Sequence, residues 1–230
     1  MKLGGLQKTS LVDYPGEIVA TVFTKGCNFR CPFCHNADLL RPNNGDNDIT
    51  EEDFFKFLDK RQGFLDGVCI TGGEPLVQED IFNFVYKIKD KGFLVKLDTN
   101  GSQPKRLNKL LQNNLIDYVA MDIKTSPKKY SKAANASIKI EDISESIELI
   151  KKSKADYEFR TTFVPGLVSS EDLDEIGKWL GNIKKFSVQQ FRNKNVLDKS
   201  WEKIVPYSDD KFKGLAKLAE KYFQKTEIRE

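Results

Sequence analysis

The sequence predicts an α/β fold built on a parallel sheet. Short β-rich apolar segments alternate along the chain with helical segments, as they do in successive β–α–β units. Polar motifs follow the ends of several of these strands, which is where α/β folds carry their active sites. The 230 residues are enough for one substantial core. We therefore expect a single domain over residues 1–230, without a linker or an internal repeat.

The N-terminal segments predict a hairpin, a loop and a first helix. The sequence YPGE, Tyr14 to Glu17, has Pro and Gly at the central positions of a type II turn and precedes the β-rich run EIVATVFT, Glu17 to Thr24. NNGDND, Asn43 to Asp48, is typical of a loop. Thr50 is followed by three acidic residues, which predicts the N-cap of a helix through FFKFLDKR. GVCIT, Gly67 to Thr71, predicts a short buried strand.

The alternation continues to the C-terminus. Four further strands are expected in FLVKLDT, YVAMDIK, DYEFRTTFV and KFSVQQF, at Phe93–Thr99, Tyr118–Lys124, Asp156–Val164 and Lys185–Phe191. Helices are expected between and after them, at Gln78–Asp90, Pro104–Asn113, Glu141–Lys152, Ser170–Leu180 and Asp209–Phe223. The carboxyl ends of parallel strands share one rim, so the polar residues at these ends should converge on one cavity.

Composition and charge argue against several classes of protein. The 37 basic and 34 acidic residues nearly balance, so net charge implies neither a nucleic acid nor an acidic membrane as partner. No apolar run approaches 18 residues, and the N-terminus lacks the apolar segment of a signal peptide. Four cysteines, three of them clustered, do not make a disulfide framework. We expect a cytoplasmic protein whose thiols are metal ligands.

The stretch GCNFRCPFCHN contains three of the four cysteines and the only histidine. Cys27, Cys31 and Cys34 have the spacing C-x3-C-x2-C, and three thiolates on one loop can each hold a different iron of a [4Fe–4S] cube, leaving the fourth iron open. The alternative is a zinc-binding interaction module, in which His35 or Cys69 closes the site. The spacing favours the cluster, because adjacent residues rarely share one tetrahedral ion. Cys69 is most simply a buried apolar residue.

Taken together, the motifs resemble a known family. CNFRCPFC with HN, then GGEP, LDTNG and DIK in this order, resemble the radical S-adenosylmethionine (radical SAM) activases, and within them the pyruvate formate-lyase activating enzyme group. The opening GLQKTSLVDYPGEI, FVPGLV after Arg160, and QQF look most like the anaerobic ribonucleoside-triphosphate reductase activating proteins. The resemblance covers nearly the whole chain. It implies an incomplete parallel (β/α)6 barrel of the radical SAM type with a short N-terminal hairpin, open on one side for a partner's glycine loop.

The resemblance also implies the cofactors and the reaction. Cys27, Cys31 and Cys34 would bind one [4Fe–4S] cluster, and S-adenosylmethionine would chelate the open iron and yield a 5′-deoxyadenosyl radical on reduction. In the activases this radical takes hydrogen from a backbone glycine of a glycyl radical enzyme, here expected to be anaerobic ribonucleotide reductase. A flavodoxin- or ferredoxin-type protein would donate the electron. No catalytic residue beyond the cluster ligands is expected. The alternative is a radical SAM enzyme that acts on a small molecule or a peptide.

A ferredoxin-like insert, found in some activases, is missing from this chain. The 37 residues between Cys34 and Gly72 contain a single cysteine, so one cluster is expected. Gly72 and Gly73 would let backbone groups approach the methionine amino group, with Glu74 in the same cofactor-binding motif. A mere tight turn is the plainer explanation of the two glycines; a phosphate loop is not favoured, since no Gly-Lys-Ser/Thr follows. Phe33 is placed to line the adenine site.

The remaining expected cofactor contacts lie at later strand ends. Asp98 and Thr99, with Asp122, resemble the family's monovalent-cation site beside the methionine carboxylate, since hard ions prefer oxygen ligands. Asn100 belongs to the same motif, and Lys124 resembles the lysine that contacts the methionine carboxylate or ribose.

Four weaker candidates complete the expected site. His35 would add a polar contact near the adenine, although a surface position explains a lone histidine nearly as well. Arg160, Thr162 and Gln190 are candidates for contacts at the last strands. The pyruvate formate-lyase activases carry a histidine near the position of Gln190 or Phe191, and this chain does not.

Overall fold

The structure is a computed structural model that describes residues 1–40 and 49–229, so the loop predicted at 43–48 lies outside the described residues. Within them, eight strands form one sheet in sequence order: β1 Leu3–Ser10, β2 Val19–Thr24, β3 Gly67–Gly72, β4 Leu94–Thr99, β5 Tyr118–Asp122, β6 Asp156–Phe163, β7 Phe186–Gln190 and β8 Thr226–Arg229. The α-helices of the described part are α1 Glu51–Asp59, α2 Ile81–Asp90, α3 Pro104–Gln112, α4 Tyr130–Ala134, α5 Ile140–Lys152, α6 Ser170–Leu180 and α7 Asp209–Ala219.

The sheet begins with the predicted hairpin and continues as parallel strands. β1 pairs with β2 in the antiparallel sense, whereas every neighbouring pair from β2 to β8 is parallel. In the connection between β1 and β2, the amide of Glu17 donates to the carbonyl of Tyr14 at 3.2 Å, and Gly16 has a φ of +86°. A positive φ at this third position is what a type II turn requires, so the glycine fixes the turn.

The parallel sheet curves into an incomplete barrel. Tyr14, in the turn before β2, packs against Tyr118 on β5 with ring centroids 5.5 Å apart, although β3 and β4 separate β2 from β5. β1 and β8 are the two ends of the strand order, and no pairing within residues 1–40 and 49–229 joins them. The predicted open parallel barrel is therefore confirmed. The structure adds β8 as a seventh parallel strand, which the sequence patterns did not predict.

The predicted cap of the first helix is present, and the structure shows a second capped helix start. The Thr50 hydroxyl accepts from the amide of Asp53 at 3.0 Å, which caps α1. At the start of α6, Ser169 and Asp172 form a reciprocal capping box. In α5, Ile143, Ile147 and Ile150 recur at helical spacing, and all three are buried in the main core. No helix in the described ranges is long and apolar enough to span a membrane.

The inside of the barrel changes character along its axis. Tyr14, from the turn between β1 and β2, packs with Val19, Cys69, Tyr118 and Ala120 in a small apolar cluster. Side chains two apart on a strand point to the same face, so the next inward positions after Cys69 and Ala120 are the polar Thr71 and Asp122. The hairpin turn thus fills the amino-terminal end of the barrel, and the polar residues are left at the opposite rim.

Candidate active site

A cavity at the carboxyl ends of the parallel strands brings together nearly all of the predicted site residues. It is lined by Cys27, Phe29, Cys31, Phe33, Cys34, His35, Asn36, Leu40, Thr71, Gly72, Gly73, Glu74, Asp98, Thr99, Asn100, Asp122, Lys124, Arg160, Thr162 and Gln189. The strand ends and the cysteine loop that follows β2 therefore meet as the alternating pattern predicts. Phe29, Asn36, Leu40, Thr71 and Gln189 were not among the predicted contacts.

The cysteine loop is held in place by backbone hydrogen bonds to a distant part of the chain. The amide of Cys34 donates to the carbonyl of Cys31 at 3.0 Å, which forms a tight turn between the two thiols. The amide of Leu197 donates to the carbonyl of Cys34 at 2.9 Å, and the amide of Asp198 donates to the carbonyl of Pro32 at 3.0 Å. The segment after β7 thus lies along the loop and fixes its shape from outside.

The three thiols of the loop are free and line one cavity. Burial favours the protonated form of two of them, Cys27 and Cys31. Burial raises the pKa of the Cys27 thiol, and it raises that of Cys31 to about 12. The amide of Phe29 donates to the Cys27 sulfur at 3.3 Å, and the Asn100 side-chain amide lies 3.8 Å from it. Both thiols must give up a proton to bind a metal, so metal binding here is coupled to proton release.

The two residues that could close a zinc site are engaged elsewhere. The His35 ring is hydrogen-bonded to the backbone of Lys194, and burial lowers its pKa. The Cys69 sulfur lies inside the barrel, 3.7 Å from the Lys96 ammonium. Among the described residues, no three His, Cys, Asp or Glu side chains form a group that could hold one metal ion. Three thiols that each bind a different iron, by contrast, do not have to converge on one point.

The two glycines of GGEP allow two loops to approach each other closely. A Cβ atom on Gly73 would lie 1.9 Å from the carbonyl oxygen of Gly26, immediately before the first cysteine. Gly72 has a φ of +109°, and a Cβ there would lie 2.5 Å from the amide nitrogen of Thr24. The backbone at the start of the cysteine loop therefore occupies the space in which side chains at these two positions would lie.

Glu74 joins the ends of β3 and β4. Its carboxylate is buried and accepts from the amide of Leu76, from the Thr99 hydroxyl at 2.7 Å and from the amide of Asn100 at 2.7 Å. Burial is the largest effect on this group and raises its pKa to about 7, although the three donors act in the opposite direction. Both carboxylate oxygens are thus used to fix the two motifs relative to each other.

An unbroken row of ion pairs crosses the floor of the cavity. Lys124 contacts Asp122 at 2.9 Å, and the Arg160 guanidinium bridges Asp122 at 2.9 Å and Asp98 at 3.2 Å. Lys96 contacts the second oxygen of Asp98. The neighbouring cations hold the pKa values of both aspartates below their usual range, and Asp122 raises that of Lys124. Lys96 was not predicted, although a lysine two positions before Asp98 on an otherwise apolar strand is a signal that it shares the inner face.

The position of one predicted contact needs correction. Gln190 does not line the cavity; its side-chain amide donates to the carbonyl of Tyr207 at 2.6 Å. Gln189 lines the cavity instead, because successive side chains of β7 point to opposite faces of the sheet.

The aromatic ring that lines the cavity packs against a residue from the C-terminal third of the chain. Phe33 is buried between two of the cysteines, and its ring centroid lies 6.1 Å from that of Trp201. Trp201 belongs to a short 3-10 helix, Lys199–Lys203. This helix directly follows Leu197 and Asp198, which are hydrogen-bonded to the cysteine loop. No local motif connects this tryptophan to the site, so only the tertiary structure reveals it.

The donor set suits a [4Fe–4S] cluster with S-adenosylmethionine. Three free thiols supply three ligands, and the wall around them combines an aromatic ring, glycine backbone and fixed cations. An apolar ring suits an adenine, and the cations suit a carboxylate. Cys27, Cys31 and Cys34 would hold the cluster.

Comparison with known proteins identifies the family of the chain. The profile of the Radical SAM superfamily matches residues 21–180. The protein named "putative glycyl-radical enzyme activating enzyme MJ1227" of Methanocaldococcus jannaschii is 35% identical over 232 residues, which cover 99% of this chain and 95% of that protein. The pyruvate formate-lyase-activating enzyme of Clostridium pasteurianum is 32% identical over 128 residues, covering 54% of this chain and 52% of that enzyme.

Solved structures support the fold. The structure of Streptococcus suis SuiB bound to S-adenosylmethionine has a TM-score of 0.67 at 17% identity, covering 90% of this chain and 49% of SuiB. A domain of the pyruvate-formate lyase-activating enzyme from Bacteroides vulgatus has a TM-score of 0.57 at 14% identity, covering 71% and 99% of the two chains. The chain therefore belongs to the radical SAM superfamily and, within it, to the family of glycyl-radical enzyme activating enzymes.

Proposed function

We propose that this enzyme installs a glycyl radical on anaerobic ribonucleoside-triphosphate reductase. The observation that carries the activase function is the 35% identity, over 99% of the chain, to a relative named for activating glycyl-radical enzymes. The choice of the reductase as partner is supported by sequence motifs outside the cavity, above all the opening GLQKTSLVDYPGEI. Part of this opening forms β1 and the turn that fills the amino-terminal end of the barrel.

The bound cofactors supply the radical chemistry. A [4Fe–4S] cluster with S-adenosylmethionine would supply the one-electron chemistry by which hydrogen is removed from the target glycine. Cys27, Cys31 and Cys34 hold the cluster. The electron comes from a flavodoxin- or ferredoxin-type protein. The chain's task is to position the cofactors and to keep water away from the radical.

The charged side chains position the methionine end of S-adenosylmethionine. Lys124 lines the cavity and, because Asp122 raises its pKa, it remains a cation throughout the physiological range. Three cations and two carboxylates make up the row of ion pairs, which leaves an excess positive charge for a carboxylate ligand. Of the three cations in this row, Lys124 and Arg160 line the cavity.

The other wall residues enclose the nucleoside end. The Phe33 ring, backed by Trp201, offers an apolar face to the adenine. Gln189 takes the place that was expected for Gln190 and offers an amide to the ribose or the base. The sheet stays open between β1 and β8, and this opening supports access for a glycine loop of the partner.

An activation assay tests the proposal. The anaerobically reconstituted enzyme is reduced with dithionite in the presence of S-adenosylmethionine, 5′-deoxyadenosine is quantified, and spin resonance follows a glycyl radical on anaerobic ribonucleotide reductase. Pyruvate formate-lyase serves as the competing partner. A radical on the reductase alone supports the proposal. A radical on pyruvate formate-lyase alone overturns the choice of partner.

The same assay distinguishes the activase from a radical SAM enzyme with another kind of substrate. If 5′-deoxyadenosine forms but neither partner acquires a radical, the enzyme acts on a small molecule or a peptide. The matched controls are Cys31→Ala, which removes a cluster ligand, and Cys69→Ala, which removes a thiol inside the barrel. We expect Cys31→Ala to abolish 5′-deoxyadenosine formation and Cys69→Ala to retain bound iron.

A further inference from the structure

We infer that the Lys96 ammonium takes the place of a bound monovalent cation beside Asp98. Unlike the activases that its motifs resemble, this enzyme would then work without a monovalent cation from solution. Asp98, Thr99 and Asp122 are the residues in which the resemblance places such an ion. The contacts of these three side chains do not fit it. This inference concerns the cofactor site and is independent of which partner receives the radical.

Lys96 occupies an unusual position for a lysine. It lies in β4, points into the barrel and is only 1% exposed. Lysines are almost never fully buried unless they are paired. The ammonium of Lys96 contacts one oxygen of Asp98 and lies 3.7 Å from the sulfur of Cys69. The burial of the ammonium is thus compensated chiefly by Asp98, and the two residues form one unit on the inner face of β4.

Each carboxylate oxygen of the proposed ion site already faces a cation of the chain. Asp98 is contacted by Lys96 at one oxygen and by Arg160 at the other. Asp122 is contacted by Arg160 at one oxygen and by Lys124 at the other. A further cation placed among these groups would meet three fixed positive charges and no unpaired carboxylate oxygen, so its binding is disfavoured.

The third expected ligand is also engaged. The Thr99 hydroxyl donates to Glu74 at 2.7 Å and accepts from the amide of Gly101 at 3.1 Å. Its hydrogen bonds thus tie it to GGEP and to its own turn. Both carboxylates thus have a cation of the chain at each oxygen, and the Thr99 hydroxyl is held by two hydrogen bonds, so the set does not fit a potassium or sodium ion, which needs several available oxygens.

The role that follows for Lys96 is that of a positioning residue. By pairing with Asp98 it fixes the carboxylate that Arg160 bridges to Asp122, and Asp122 in turn holds Lys124. The geometry of this row of ion pairs therefore depends on the ammonium group of Lys96 at its inner end. Removing that charge exposes one oxygen of Asp98, and a monovalent ion can then compensate it.

The test measures S-adenosylmethionine binding and thermal unfolding of the cluster-loaded enzyme in potassium chloride and in choline chloride at equal ionic strength. For the unsubstituted enzyme we expect dissociation constants within twofold and equal Tm values in the two salts. For Lys96→Met we expect binding at least fivefold weaker in choline, with saturable recovery as potassium is added. Lys96→Arg keeps a charge and should remain independent of potassium. Lys56→Met removes an exposed lysine of α1 as the matched control.

A saturable gain in affinity or in Tm with potassium in the unsubstituted enzyme would overturn the inference. Equal behaviour of Lys96→Met and Lys56→Met in both salts would also overturn it. If Lys96→Met does not fold, the unsubstituted enzyme and Lys96→Arg decide the question, because their independence of potassium supports the inference and their dependence refutes it. Both readouts are equilibrium measurements and need no partner enzyme.

Discussion

Thr99 donates its hydroxyl to the buried carboxylate of Glu74 at 2.7 Å, and this hydrogen bond ties the end of β4 to the motif that follows β3. The adjacent amide of Asn100 donates to the other carboxylate oxygen at 2.7 Å. Asn100 also reaches Asn28 of the cysteine loop at 3.0 Å. Glu74 therefore holds together three segments of the cavity that are far apart in sequence.

The first prediction concerns the pH dependence of stability. Burial raises the pKa of Glu74 to about 7, so the folded chain retains a proton that the unfolded chain releases above about pH 4.5. The stabilisation is complete below pH 4.5 and is lost as the pH rises through 7, by up to about 3 kcal/mol. Urea unfolding from pH 4.5 to 8 should show this decrease, and Glu74→Gln, which cannot titrate, should lack it.

The comparison between the two proteins isolates the contribution of Glu74. His35 has a lowered pKa and opposes the trend, but it is present in both proteins and cancels in the difference. The side-chain amide that Glu74→Gln introduces would also face a backbone donor, which should cost about 1–3 kcal/mol at every pH. Parallel pH profiles for the two proteins would contradict the prediction.

The second prediction concerns the close approach at Gly73. Gly73→Ala places a Cβ atom 1.9 Å from the Gly26 carbonyl oxygen, so the cysteine loop or the GGEP loop must move. We expect a loss of about 3 kcal/mol or more in the free energy of unfolding, together with lower iron content after reconstitution. Gly214→Ala is the matched control, since Gly214 lies in α7 and a Cβ there meets nothing within 4 Å. This control should gain up to about 1 kcal/mol.

The third prediction uses two adjacent glutamines of β7. Gln189→Ala removes a side chain that lines the cavity and should weaken S-adenosylmethionine binding several-fold, up to about tenfold, with little change in Tm. Gln190→Ala removes a hydrogen bond to the Tyr207 carbonyl outside the cavity, and should lower stability by about 1 kcal/mol while leaving binding unchanged. Calorimetric titration of the cluster-loaded proteins distinguishes them, and the reverse pattern would refute the assignment.

The fourth prediction concerns the last strand. Arg229 on β8 makes two contacts, at 2.7 and 2.8 Å, with Glu158, whose side chain is fully buried on β6. Arg229→Met leaves this carboxylate with Ser187 and a more distant lysine, so we expect a loss of about 3 kcal/mol in unfolding free energy. Lys225→Met, which breaks an exposed pair with Glu227, should cost less than about 1 kcal/mol. Similar losses for both variants would show that the Arg229–Glu158 pair does not stabilise β8.

Much of the fold follows from local patterns. The predicted helix at Ser170–Leu180 has the observed bounds, and most of the other predicted elements agree within a few residues, because apolar periodicity, capping residues and turn residues act over short distances. β8 was missed because TEIR is short and partly charged, and its pairing partner lies about forty residues away in the sequence. Arg229 of this strand pairs with the buried Glu158 on β6, a contact that no local pattern shows.

The cysteine spacing, the paired glycines and the polar strand ends follow from residue type and order alone, and the alternation of strands and helices brings them to one rim. The tertiary structure decided which partner each of these groups has. Gln189 rather than Gln190 faces the cavity, Trp201 backs Phe33, and Lys96 neutralises Asp98. The reason is physical, since burial and ion pairing depend on distances across the barrel that spacing along the chain does not fix.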